Sequence, residues 1–186
     1  MFVDAHLLRG LVRLTNSQFK EALEDFNRAS EYPENLSVAR PSNDRRAPQV
    51  AYFTGLAHQA LGANDEAAKN FRRAADQSGT GRWLDTQIYQ ALAHKQLGEV
   101  DQARQALEAI TAILEVRLAR TEEDLDFFAK FGRRLSESAL RARDLSVLGF
   151  AQSALGLSEA AAASLGSAVD LDTSQLWARH YLRTLP

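Results

Sequence analysis

The sequence has no cysteine, which excludes both disulfide bonds and a thiolate metal site. It has only four prolines, three within residues 33–48 and one at the last position, so the strongest helix breakers inside the chain fall in one stretch. No apolar run approaches the ~18 residues of a membrane span, and the N-terminus lacks the basic-then-apolar layout of a signal peptide. A cytoplasmic chain that does not enter a membrane is the expectation. Neither sign of charge is in excess: 22 Lys and Arg stand against 24 Asp and Glu, with a pI near 6.1. That balance argues against a nucleic-acid partner held by phosphate neutralisation. What remains is 45% apolar and rich in Ala, Leu, Glu, Arg and Gln, the composition of an all-α protein long enough for a substantial core.

The organising pattern lies between Ala51 and Ala75. Gly55, Gly62, Ala67, Phe71 and Ala74 are spaced 7, 5, 4 and 3 apart. Small residues at 55, 67 and 74 let two antiparallel helices approach closely, and Phe71 is a large knob between hairpins. Gly62 ends the first helix by taking positive φ, and Asn64 or Asp65 is expected to cap the second. The pattern recurs. Gly10, Ser17, Ala22, Phe26 and Ala29 form an earlier copy, with Ser17 in the glycine slot. Ala91, Gly98, Ala103, Leu107 and Ile110 form a third, and Gly149, Gly156, Ala161, Leu165 and Ala168 a fourth. Recurrence at this spacing indicates an array of one helix–turn–helix unit. So complete a first copy suggests a segment preceding it, because terminal repeats are normally atypical.

Two segments interrupt the array. Residues 32–48 (YPENLSVARPSNDRRAP) form a long loop, with Tyr32 and Leu36 as apolar anchors and an ordered YPENL half expected. In it Asn35, Arg40, Arg45 and Arg46 are the expected polar contacts to a companion domain. Residues 121–131 are expected to form an inserted helix that starts at Thr121 and Asp124 and carries Leu125, Phe127, Phe128 and Phe131. Phe127 or Phe128 is expected against Leu92 or Phe150. A last amphipathic stretch, 174–185, with Leu176, Trp177, Tyr181 and Leu182, is expected to cap the final repeat.

The five slots resemble the tetratricopeptide repeat (TPR). The expected fold is therefore an all-α, TPR-like right-handed solenoid of four helical hairpins plus the inserted and capping helices. Its repeats lie near 3–31, 48–77, 82–119 and 139–171 of a single domain, 1–186. The irregular parts, Tyr32-Pro33-Glu34-Asn35-Leu36, Arg40-Pro41 and Asp126-Phe127-Phe128-Ala129, resemble the C-terminal TPR region of bacterial multidomain proteins. In those proteins the N-terminal half is an uncharacterised domain related to carbohydrate-handling β-sandwiches. Lys130-Phe131-Gly132-Arg133 departs from that family's pattern. The resemblance implies a companion domain and an accessory role beside a carbohydrate-active enzyme as the alternative function.

Chemistry is sparse. His6, His58, His94 and His180 lie far apart without a second ligand at metal spacing, and neither a Gly-x-Ser-x-Gly turn nor a phosphate loop occurs. The chain is read as non-catalytic, with no cofactor or metal. Binding is the stronger class. Projecting the first helix of each hairpin gives a groove of Leu7, Leu11, Leu14, Tyr52, Leu56, Gln59, Ile88, Leu92 and Lys95, joined by Ser146 and Phe150 from the fourth copy. The slots that grip a C-terminal carboxylate in some TPR modules hold Leu7, Leu11, Phe53, Asp85 and Tyr89, so that clamp is absent. An apolar groove suits an amphipathic helix or apolar segment of a protein partner, a companion domain or a second copy of the chain, unless the inserted helix fills it in cis.

Overall fold

The computed structural model describes residues 2–31, 44–77, 83–119 and 137–185. Among them are nine α-helices and no strand: α1 (Phe2–Thr15), α2 (Phe19–Ser30), α3 (Ala47–Ala60), α4 (Asn64–Ala75), α5 (Leu84–Gln96), α6 (Val100–Leu118), α7 (Glu137–Ala154), α8 (Ser158–Leu171) and α9 (Leu176–Thr184). The fold is all-α, built from TPR-like hairpins. The expected inserted helix at 121–131 and the YPENL segment, with Asn35, Arg40, Phe127 and Phe128, lie outside the described residues. The helices fall into two compact units, 1–103 and 104–186, dividing inside α6.

The same turn joins the two helices of each repeat. Gly62, Gly98 and Gly156 take φ of 75°, 87° and 80°, where an added side chain would be strained. At Gly62 its N–H donates to the Gln59 carbonyl at 3.0 Å and the Ala63 N–H to the His58 carbonyl at 2.9 Å. This is the paired bonding that satisfies the last carbonyls of a helix. The turn puts Ala63 at the cap of α4 and Asn64 already inside it, and no side chain caps that helix. The expected Asn64 or Asp65 cap is therefore corrected: the turn bonds fix the boundary, while Asp65 and Glu66 still face the positive helix end.

Ser17 makes the same turn at φ 60°, the only non-glycine residue at positive φ among those described. A left-handed serine costs ~1–2 kcal/mol, less the entropy glycine loses on folding. Ser17→Gly is thus expected to stabilise the protein by roughly 0.5–1 kcal/mol in urea melts. An unchanged midpoint would mean that the serine is not strained there.

In the first unit, each hairpin closes over its small residue. A Cβ added at Gly55 would lie 2.5 and 2.7 Å from ring atoms of Phe71, and one at Gly10 would lie 2.8 Å from Cδ1 of Phe26. Phe26 then stacks on Phe53 of the next hairpin, with ring centres 5.6 Å apart. Phe53 meets Tyr89 of α5 edge-on at 5.4 Å, so three successive hairpins are joined by aromatic side chains. Phe71 packs within its own hairpin on Tyr52, at 5.9 Å.

In the second unit, α7 and α8 repeat the arrangement with leucine as the knob: a Cβ at Gly149 would lie 2.6 Å from Cγ of Leu165. Helix α9 packs on both. Its Tyr181 ring lies flat on Phe150, centres 4.1 Å apart, and its buried Ala178 meets Leu165 and Ala168. The cap works through Ala178, Tyr181 and Leu185, whereas Leu176 and Leu182 are exposed. The imidazole of His180 is half-buried, and burial together with Arg183 holds its pKa below the ordinary value.

Candidate partner-binding site

Helices α1, α3 and α5 are neighbours in the first unit and present one common face. Relative to the small residue of each repeat (Gly10, Gly55, Ala91), the side chains three before, one after and four after share that face. These are the three rows projected from the sequence, and their depths differ sharply. Leu7 and Ile88 have no exposed surface and Tyr52 has 8%. That row is core and offers nothing to a partner, which corrects the reading of Leu7, Tyr52 and Ile88 as groove contacts. Burial also raises the pKa of the Tyr52 hydroxyl, against a hydrogen bond with Gln96 that lowers it. The next rows are open: Leu11, Leu56 and Leu92 are half-buried in the same slot of three adjacent helices. One turn on, Leu14 is half-buried while Gln59 and Lys95 are exposed. Lys95 has no ion pair among the described residues.

A polar chain links the three helices. The Arg46 guanidinium donates from Nη2 to Asp4 of α1 and from Nη1 to Gln49 of α3, each at 2.6 Å. The Gln49 amide donates to the Tyr89 hydroxyl of α5 at 2.7 Å, and the Thr86 hydroxyl to the Arg45 carbonyl at 3.0 Å. Gln49 is buried, so leaving it unpaired would be costly, and the chain fixes the spacing of the three helices. Arg46 is therefore a structural link between helices rather than the free contact expected. Arg45 is half-buried beside it.

Phe150 belongs to the second unit, where Tyr181 covers its ring, and Ser146 is buried in the same helix; both are core, not groove surface. No cluster of His, Asp or Glu that could hold a metal occurs among the described residues, and none of their helices is long and apolar enough to cross a membrane.

No protein-family model and no curated protein matches the chain. Among solved structures, it is similar to a MamA RS-1 ArsTM double mutant, at 16% identity and TM-score 0.34, over 98% of this chain and 82% of that one. It is also similar to MamA 41-end from Desulfovibrio magneticus RS-1, at 17% identity and TM-score 0.35, with the same coverage. Overlaps this loose decide neither fold nor partner; the repeat assignment rests on the turns and knobs described above. The carbohydrate-associated multidomain context implied by the resemblance finds no support in them.

Sequence reasoning missed one cluster. Asp25 of α2 is 1% exposed yet charged, because three residues of α1 converge on it. Arg9 Nε lies 2.9 and 3.0 Å from its two oxygens, Arg13 Nη1 2.7 Å from Oδ2, and His6 Nδ1 3.0 Å from Oδ1. Burial alone would raise the Asp25 pKa. The Arg9 and His6 hydrogen bonds and the Arg9 and Arg13 charges outweigh it and bring the value to about 2. The signal was available: His6, Arg9 and Arg13 are spaced 3 and 4 apart on one helix face, and an acid directly precedes the knob Phe26.

Proposed function

We propose that the chain is a non-catalytic protein-interaction module, and that its open rows on α1, α3 and α5 receive an amphipathic helix or apolar segment of a partner protein. The observation that carries this reading is the row Leu11, Leu56 and Leu92. One apolar side chain is repeated at the same slot of three neighbouring helices, and each is half-exposed. Neighbouring helix axes lie ~8–10 Å apart, so the row presents three apolar contacts at intervals that a helical ligand matches with residues about seven apart. Leu14 extends the apolar surface, and Gln59 and the unpaired Lys95 edge it with a donor suited to an acidic flank on the ligand.

A displayed library of amphipathic helical peptides with leucine on one face and an acidic flank tests the proposal. Peptides selected on the wild-type protein are expected to bind Leu56→Arg and Leu92→Glu at least tenfold more weakly, and Arg72→Glu, on the exposed side of α4, equally well. Selected peptides indifferent to both leucine variants would remove the site.

A further inference from the structure

A second, unrelated surface feature lies between α2, α3 and α4. It is a cleft of about 60 Å³, room for about four waters. Val50 and Thr54 of α3 form its floor; Asn27 of α2, Asp44 before α3, and Asn70 and Arg73 of α4 form its rim. Asp44 uses one oxygen to accept the Arg46 N–H at 2.9 Å, and Asn70 donates to the Glu66 carbonyl at 2.9 Å. The Asn27 amide and the Arg73 guanidinium have no partner among the described residues. A carboxylate and a guanidinium thus border one cleft without pairing to each other, and two carboxamides stand beside them.

The next repeat shows what such a space holds. Thr54 occupies the slot just before Gly55, and the residue just before Ala91 is Gln90. The Gln90 carboxamide reaches across to the preceding repeat and donates to the Ala75 carbonyl at 3.1 Å and the Gln77 carbonyl at 2.8 Å. Thr54 is too short to do this, and its hydroxyl turns back to the Val50 carbonyl at 2.9 Å. In the following repeat the slot of Thr54 thus carries an amide that bonds to the preceding repeat, an interaction that Thr54 leaves unmade.

We propose that this cleft is a docking notch for one amide group of a partner polypeptide, a main-chain peptide unit in an extended segment. The partner carbonyl accepts from Arg73 and Asn27, its N–H donates to the free oxygen of Asp44, and a small side chain rests on Val50. The pairing is neutral overall, since the notch offers one positive and one negative group, and it selects an amide over a free carboxylate or an amine.

The test follows the side-chain amide resonances of Asn27 and Asn70 by NMR while N-acetylglycinamide is titrated in, with acetate and methylammonium as controls. Saturable shifts with N-acetylglycinamide are expected, at least fivefold weaker in Arg73→Ala. In Thr54→Gln, whose own carboxamide fills the notch, they are expected to be at least tenfold weaker. Should Thr54→Gln fail to fold, Arg73→Ala and Asn27→Ala, both at exposed positions, decide the matter. No saturable shift overturns the proposal. So does an equal response to acetate, which would mean a simple anion site, or an equal response in Arg73→Ala.

Discussion

Replacing Phe71 by alanine is expected to destabilise the first unit by about 3–5 kcal/mol, the usual loss when a buried phenylalanine leaves a cavity. Phe71 is 3% exposed, closes over Gly55 and packs on Tyr52, so neighbouring rigid rings hinder collapse into the void. Gly55→Ala approaches the same contact from the other side. Its Cβ would sit 2.5 Å from a ring atom that is not the end of a flexible chain, so the ring or a helix must move. Overpacking of this kind costs ~1–3 kcal/mol, against ~1 kcal/mol gained from replacing a mid-helix glycine. The slots vary together in sequence: glycine stands with phenylalanine in the first two repeats and with leucine in the fourth, and only the third, with alanine at 91, combines a Cβ in the small slot with a leucine in the knob slot. The double variant Gly55→Ala/Phe71→Leu is therefore expected to be more stable than the sum of the single changes, by ~0.5–2 kcal/mol in a double-mutant cycle. Additive energies in urea denaturation would show that Gly55 and Phe71 do not share the contact.

The same slots explain how much of the fold could be read from the chain. A glycine under an aromatic ring and a glycine at positive φ are constraints on single residues, so they survive as letters at fixed spacing. Helix ends at Gly62 and Gly156 were legible for that reason. Depth was not. Leu7 and Leu11 are both leucines on one face of α1, and only tertiary packing makes the first core and the second surface. The capping of α4 was misread because Asn64 and Asp65 suit a cap chemically, whereas the preceding turn sets the boundary through main-chain bonds that carry no side-chain signature. Arg46 looked like a loop arginine; its partners, Asp4 and Gln49, are 42 and 3 residues away, and the distant one cannot be found by local pattern.

The second large effect concerns Asp25. Asp25→Asn is expected to cost about 2–3 kcal/mol at neutral pH, the range for losing charge-assisted hydrogen bonds at a buried acceptor. The full penalty of a broken buried ion pair is not reached, because Arg9 is 51% and Arg13 32% exposed and both can return to water. The effect should depend on pH in one direction. The folded carboxyl has a pKa of about 2 against an ordinary 3.8. A depressed acid contributes its stabilisation, about 2 kcal/mol here, in full above the unfolded value and loses it as pH falls through the folded one. Urea melts at pH 7 and pH 3 are therefore expected to show the gap between wild type and Asp25→Asn narrowing by about 1 kcal/mol. The fourth repeat supplies the contrast: in the slots of Arg13 and Asp25 it has Gln152 and Ser164, whose hydroxyl donates to the amide oxygen at 2.8 Å. That neutral pair joins α7 to α8 as the ions join α1 to α2, so Ser164→Ala should cost the same at both pH values. A gap for Asp25→Asn that is equally insensitive to pH would mean that the carboxylate charge does not hold the first hairpin together.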